Sequence, residues 1–243
     1  LIHECVVKMA KEISDFMDIT PDKQRMDSLM VAANIRNLSL LELFYTCVAN
    51  LCKIMDERGT KIPDEQHHYI EKDDYNKCIY HKRDMDATER TVIVMKDADI
   101  LIKICDSTGD FDDTSEYQLL IRLLKERTII DDDGSRRLRQ KEEVENPSEV
   151  LLNPSDPEAT FRYKAGGKHL GYVGNVVEAV GEKSSLVIDY DYQQNTYADN
   201  QFMKDYLNEK KDFSDGSFIV ADGAYSGEEN SRLASEHNLK LVT

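Results

Sequence analysis

The 243-residue sequence predicts an α/β protein, a mixed sheet with flanking helices that is interrupted after its first strand by a large helical insertion. Three observations predict it. The run Ser217-Phe218-Ile219-Val220-Ala221-Asp222-Gly223 is short, apolar and closed by a glycine turn, which is the pattern of a buried strand in a covered sheet. Residues 169–180 and 185–192 are strand-like and flank Gly181-Glu182-Lys183-Ser184, the layout of a β-hairpin. Between residues 37 and 127, in contrast, apolar side chains recur at helical spacing.

Taken in order, Ile2, Val6, Met9, Ile13 and Phe16 mark an opening helix whose apolar stripe is expected to pack against the rest of the fold. Asp18-Ile19-Thr20-Pro21-Asp22 breaks it, and residues 25–33 read as the first strand, with Asp27 among Met26, Leu29, Met30 and Val31. A strong helix then runs from Asn37-Leu38-Ser39 to a stop at Gly59, followed by a polar connection over 60–74. Helical patterns resume at 75–81, 87–105 and 115–127. Residues 129–147 are charged and turn-rich, as in an exposed hairpin or linker. After the 169–192 hairpin come a helix from Asp199, the strand ending at Asp222, a helix over 227–238 and a last strand at 239–243. The expected organisation is a leading helix and first strand in 1–33, an insertion and linker in 34–148, and the remaining strands in 149–243.

Composition narrows the possibilities. With 40% hydrophobic and 32% charged residues the chain has a globular composition, and 243 residues are enough to bury a sizeable core. No run approaches the roughly 18 apolar residues of a membrane span, and no signal peptide can be read at the start. Five cysteines, none in a Cys-x-x-Cys pair, predict reduced thiols and a cytoplasmic setting. The acidic loop from Asp106 to Asp113 fails as an EF-hand, because its sixth position is Phe111 and its twelfth Tyr117. A net charge of −16 argues against tight DNA binding by this chain alone. Basic residues nevertheless cluster at Arg136, Arg137, Arg139 and Lys141, and again at Arg162, Lys164, Lys168 and His169, which makes both clusters candidates for phosphate contact.

Five segments in order carry a more specific signal: Arg25-Met26-Asp27-Ser28, the helical insertion, Asp156-Pro157-Glu158-Ala159, Gly171-Tyr172, and Ala221-Asp222-Gly223-Ala224-Tyr225. From about Asp15 to Thr243 the chain resembles the DDE transposases of bacterial insertion sequences. The resemblance implies an RNase H-like catalytic domain that cuts and rejoins DNA with two Mg²⁺ ions (Mn²⁺ as substitute) held by two Asp and one Glu. Asp27 and Asp222 match the two aspartates as catalytic and metal-binding residues, and Asp156 is a rival first carboxylate whose position before Pro157 also suits a turn. The family's Glu lies on a helix beyond the last strand and has no match here; Glu228 and Glu229 read as residues favouring a helix N-terminus. The N-terminal DNA-binding region also has no counterpart. The implied partners are transposon-end DNA, target DNA and further copies of the protein in a synaptic complex, with no membrane and no small-molecule substrate.

That chemistry suits carboxylates. Attack on a phosphodiester builds negative charge on the entering and leaving oxygens, and two divalent ions about 4 Å apart stabilise both. Two other readings stand beside it. Leu186-Val187-Ile188-Asp189-Tyr190-Asp191 has the strand-Asp-x-Asp form of haloacid-dehalogenase-type phosphatases, although those carboxylates also suit an exposed hairpin end. The other is an inactive transposase remnant that serves only as an interaction module.

Overall fold

The computed structural model describes residues 1–81, 85–164, 166–209 and 213–243. In chain order the elements are α1 (Ile2–Met17), β1 (Lys23–Ala32), α2 (Leu40–Glu57), α3 (Asp74–Asn76), α4 (Ala87–Thr108), α5 (Ser115–Arg127), β2 (Thr128–Ile130), β3 (Arg136–Leu138), β4 (Thr160–Lys164), β5 (Gly167–Val180), β6 (Ser185–Gln194), α6 (Asp199–Glu209), β7 (Phe218–Val220), α7 (Glu228–Glu236) and β8 (Lys240–Val242). They form two compact units, one of Leu1–Ala33 with Phe161–Thr243 and one of Asn34–Thr160. The segment 149–160, grouped above with the later strands, belongs to the second unit: Leu151 packs in that unit's core, and Arg122 donates to the carbonyls of Glu149 and Pro157.

The first unit is built on a mixed six-stranded sheet. β5 pairs antiparallel with β1 and with β6, and β4 also joins β5; β1 pairs in parallel with β7, and β7 in parallel with β8. The helices α6 and α7 are the crossovers that parallel pairing requires. Strand alternation sends Met26, Val173, Val177 and Ile219 to one face, where they pack with Phe202 and Met203 of α6 and Leu233 and Ala234 of α7. Removing a side chain of this size from water contributes on the order of 1.5–3 kcal/mol, so β1 is held as a central strand from its inner face.

In the second unit α2 supplies more of the core than any other element, with Phe44, Val48, Leu51, Cys52 and Met55 buried against α4 and α5. Local signals set the helix ends. Ser39 and Glu42 form a reciprocal capping box at the start of α2, and Asp86 and Glu89 form another at the start of α4. Gly109, at φ 69°, closes α4 in the left-handed conformation. β2 and β3 make a separate hairpin.

Two expectations need correction. The apolar stripe of α1 faces solvent: Phe16 is 92% and Ile2 76% exposed, and the helix packs on β6 instead through Ala10, Ser14 and His3. Helical spacing identifies an amphipathic helix but not which face is covered. Asp189 is no exposed hairpin end either. It is 6% exposed, beside the bulge in the β5–β6 ladder, and bonds His3 at 2.8 Å.

Candidate functional site

The parallel pairing of β1 with β7 brings the two sequence-distant aspartates to one place. Its register runs Lys23↔Phe218, Gln24↔Ile219, Arg25↔Val220. The same offset carried two residues further sets Asp27 level with Asp222, whose backbone is still extended at φ −76°, ψ 169°. Beyond it the chain turns, because Asp222 caps the short helical turn Gly223–Tyr225 by accepting from Ala224 N at 2.8 Å. Asp27 accepts from Ser28 N at 2.8 Å. Both carboxylates are exposed, and the second oxygen of each accepts no hydrogen bond among the described residues. Such donors suit a hard divalent ion that keeps several waters and takes only one or two carboxylates from the protein.

Tyr225 follows Asp222 in the same turn. It is fully buried, and its hydroxyl donates to Asn175 Oδ1 of β5 at 2.8 Å. Burial pushes its pKa above the ordinary tyrosine value, and the charges of Asp199, Asp27 and Asp222 raise it further, against a hydrogen bond with Ser28 that lowers it. Three carboxylates therefore act on one buried phenol. Asn230 of α7 donates to the carbonyls of Tyr225 and Asn200, which ties this turn to both crossover helices.

Sequence reasoning missed Asn175 and underweighted Asp199. Asn175 sits on the inner face of β5, where an apolar residue is expected, and a polar residue in that register is the available signal. Asp199 reads in sequence as a helix start. In the structure it is 5% exposed and pairs with Arg162 at 3.9 Å, and among the described residues its Oδ1 has no hydrogen-bond partner. Tyr225 is a core residue beside the site, whereas Tyr172 lies half-buried and stacks on Tyr192.

The remaining candidates are placed as follows. Asp156 lies in the second unit, in the turn after Asn153, and its amide donates to the Asn153 carbonyl. Arg136 is paired with Asp99, and Arg137 with Asp131 and Glu143; Arg139 donates to the carbonyls of Glu143 and Lys125. These guanidinium groups hold the second unit's own hairpin together. Around the β4–β5 turn Lys164 and Lys168 are exposed, Lys168 lying over the Phe161 ring at 4.2 Å, and His169 bonds the Lys164 carbonyl. Glu229 pairs with Lys204, and both Glu228 and Glu229 lie in the first turn of α7. No helix among the described residues is long and apolar enough to cross a membrane. Compared with protein families, curated proteins and solved structures, the chain matches none.

Proposed function

We propose that the chain is the catalytic region of a DDE-type transposase with an RNase H-like core, acting in metal-dependent cleavage and strand transfer of DNA. The observation that carries this reading is the shared level of Asp27, midway along β1, and Asp222, just beyond the end of the paired strand β7. The strand order β6-β5-β1-β7-β8, with an antiparallel half followed by parallel crossovers, supports it, as does the segment order of the sequence. Asp27 and Asp222 would hold Mg²⁺, which when bound supplies charge stabilisation at the reacting phosphate. Tyr225, locked by Asn175, keeps the turn that presents Asp222 from moving relative to the sheet. Of the two basic clusters, Lys164, Lys168 and His169 are the groups available to DNA phosphates, and the pairing of Arg136 and Arg137 with carboxylates argues against a DNA role for the other.

The test is calorimetric titration with Mg²⁺ and Mn²⁺ of the chain and of the Asp27→Ala, Asp222→Ala double variant. A specific binding event that disappears in the variant supports the reading. Binding that persists unchanged refutes the assignment of these two ligands. An inactive interaction module is the second reading, favoured by the exposed apolar stripe of α1. Absence of any divalent-ion binding, together with concentration-dependent self-association, would favour it.

A further inference from the structure

In the second unit, the connection after α2 gathers three different metal-ligand types. A nitrogen of His68, a carboxylate oxygen of Asp74 and Cys78 Sγ all lie within 4.8 Å of one another. The local backbone produces this grouping. His68 stands on the 3₁₀ turn His67–Ile70, and Asp74 begins α3. Cys78 follows four residues later, on one face with Asp74, where the helix widens into the π-type turn Lys77–His81. Such widened turns recur at functional sites because they re-aim side chains that a regular helix would space differently.

Asp74 is 6% exposed, and its Oδ2 is the hub. It receives the Tyr45 hydroxyl at 2.6 Å and bonds His68 Nδ1 at 2.8 Å and Cys78 Sγ at 3.4 Å. Among the described residues no Lys or Arg pairs with it. A buried carboxylate needs a compensating charge or a full set of hydrogen bonds, and these three side chains provide the second arrangement. The same geometry is close to a coordination shell. Tetrahedral Zn²⁺ with bonds of about 2.0–2.3 Å sets its ligand atoms about 3.3–3.6 Å apart, so small side-chain shifts separate the two states.

We propose that His68, Asp74 and Cys78 form a three-ligand Zn²⁺ site, independent of the carboxylate pair on β1 and β7. One nitrogen, one oxygen and one sulfur select a borderline ion such as Zn²⁺ and exclude Mg²⁺, which takes oxygen donors. On coordination Cys78 loses its thiol proton to solvent, and His68 carries its proton on Nε2, which leaves the Nδ1 lone pair for the ion. Tyr45 keeps its hydrogen bond to Asp74 and orients that carboxylate from α2, as outer-shell partners of metal sites do. Three protein ligands leave the fourth position to water. His68 is partly exposed, so the ion has a route in from solvent. The site ties the connection between α2 and α4 to the core of its unit.

The test uses Co²⁺ as a spectroscopic probe on the full chain after chelator treatment and dialysis. One equivalent of Co²⁺ is expected to produce the visible bands of a tetrahedral site and a thiolate-to-cobalt charge-transfer band, both displaced by Zn²⁺ and unaffected by excess Mg²⁺. Cys78→Ser should abolish the charge-transfer band, Cys5→Ser should leave it intact, and His68→Gln should weaken binding at least tenfold. Wild-type protein gives a readout free of folding artefacts: Zn²⁺ should protect Cys78 from alkylation at least tenfold while Cys5 stays reactive. Absence of the thiolate band, its persistence in Cys78→Ser, or unprotected Cys78 would overturn the proposal.

Discussion

Gly171 is the backbone position on which the placement of β1 depends, and replacing it by alanine is the sharpest test of that placement. It pairs with Ala32 at φ 132°, and a Cβ there would lie 2.3 Å from Val31 O and 2.5 Å from Ala33 N. Both are backbone atoms at the C-terminal end of β1, so no side-chain rotation relieves the overlap. The conformation itself costs an L-residue on the order of 1–3 kcal/mol. Moving the strands apart by about 1 Å would also break the Ala33 N to Leu170 O bond, 3.1 Å long, and weaken the neighbouring Ala32↔Gly171 pair. Each lost bond costs about 1 kcal/mol, so Gly171→Ala should destabilise the first unit by about 2–5 kcal/mol in all. For a chain of this length that corresponds to a drop in Tm of roughly 4–20 °C. The internal control is Gly174→Ala, whose Cβ would meet Leu29 and Val31 side chains at an ordinary 3.6 Å and should change stability by less than about 1 kcal/mol. Urea unfolding followed by circular dichroism gives the global effect, and hydrogen exchange of the β1 amides locates it. Equal stability of the two variants, or unaltered exchange in β1 of Gly171→Ala, would refute the reasoning.

Two pH-dependent outcomes follow from the second unit. Burial pushes the Cys47 and Cys52 thiols up to about 12 and Cys105 to about 11, with Asp97 adding at Cys52 and Asp106 at Cys105. The unfolded chain ionises these thiols from about pH 9 while the folded chain keeps them protonated. Their contribution is therefore complete below pH 9 and is lost as pH rises toward 11–12, at about 1.4 kcal/mol per thiol per pH unit. Alkylation at pH 8 should accordingly modify exposed Cys5 at once and these three only on unfolding; rapid native-state modification of Cys47 or Cys52 would contradict the packing. At the acid end, the Arg137 side chain and then the Gln140 amide hold the Glu143 carboxylate down at about 2. This tie is fully present above pH 4.5 and is lost as pH falls toward 2. Carboxylate NMR titration should show Glu143 returning toward its ordinary value in Arg137→Gln, and an unchanged titration would exclude the pair as its cause.

How much was legible in the sequence depends on whether a signal is local. Ser39 and Gly59 are legible as the ends of α2 because caps act on backbone groups within one turn, and the hairpin around Gly181–Ser184 is set by turn chemistry. The apolar run to Val220 identifies a strand by itself, since six chain neighbours suffice to show that it must be covered. Asp222 stood out as a carboxylate at the end of such a run, and Asp27 through the Asp-Ser pair that matches the resembling family. Their common level is a different matter. It arises from the β1–β7 register, which joins residues 195 positions apart and is set by the packing of Met26 and Ile219 against α6 and α7. The same holds for the solvent-facing stripe of α1, the burial of Asp189 under His3, and the meeting of His68, Asp74 and Cys78. Periodicity and propensity determine what each segment becomes, because those energies are summed over neighbours in the chain. Which faces are covered, and which polar groups meet, is decided by burial and hydrogen bonding across long sequence separations, and only the tertiary structure holds that information.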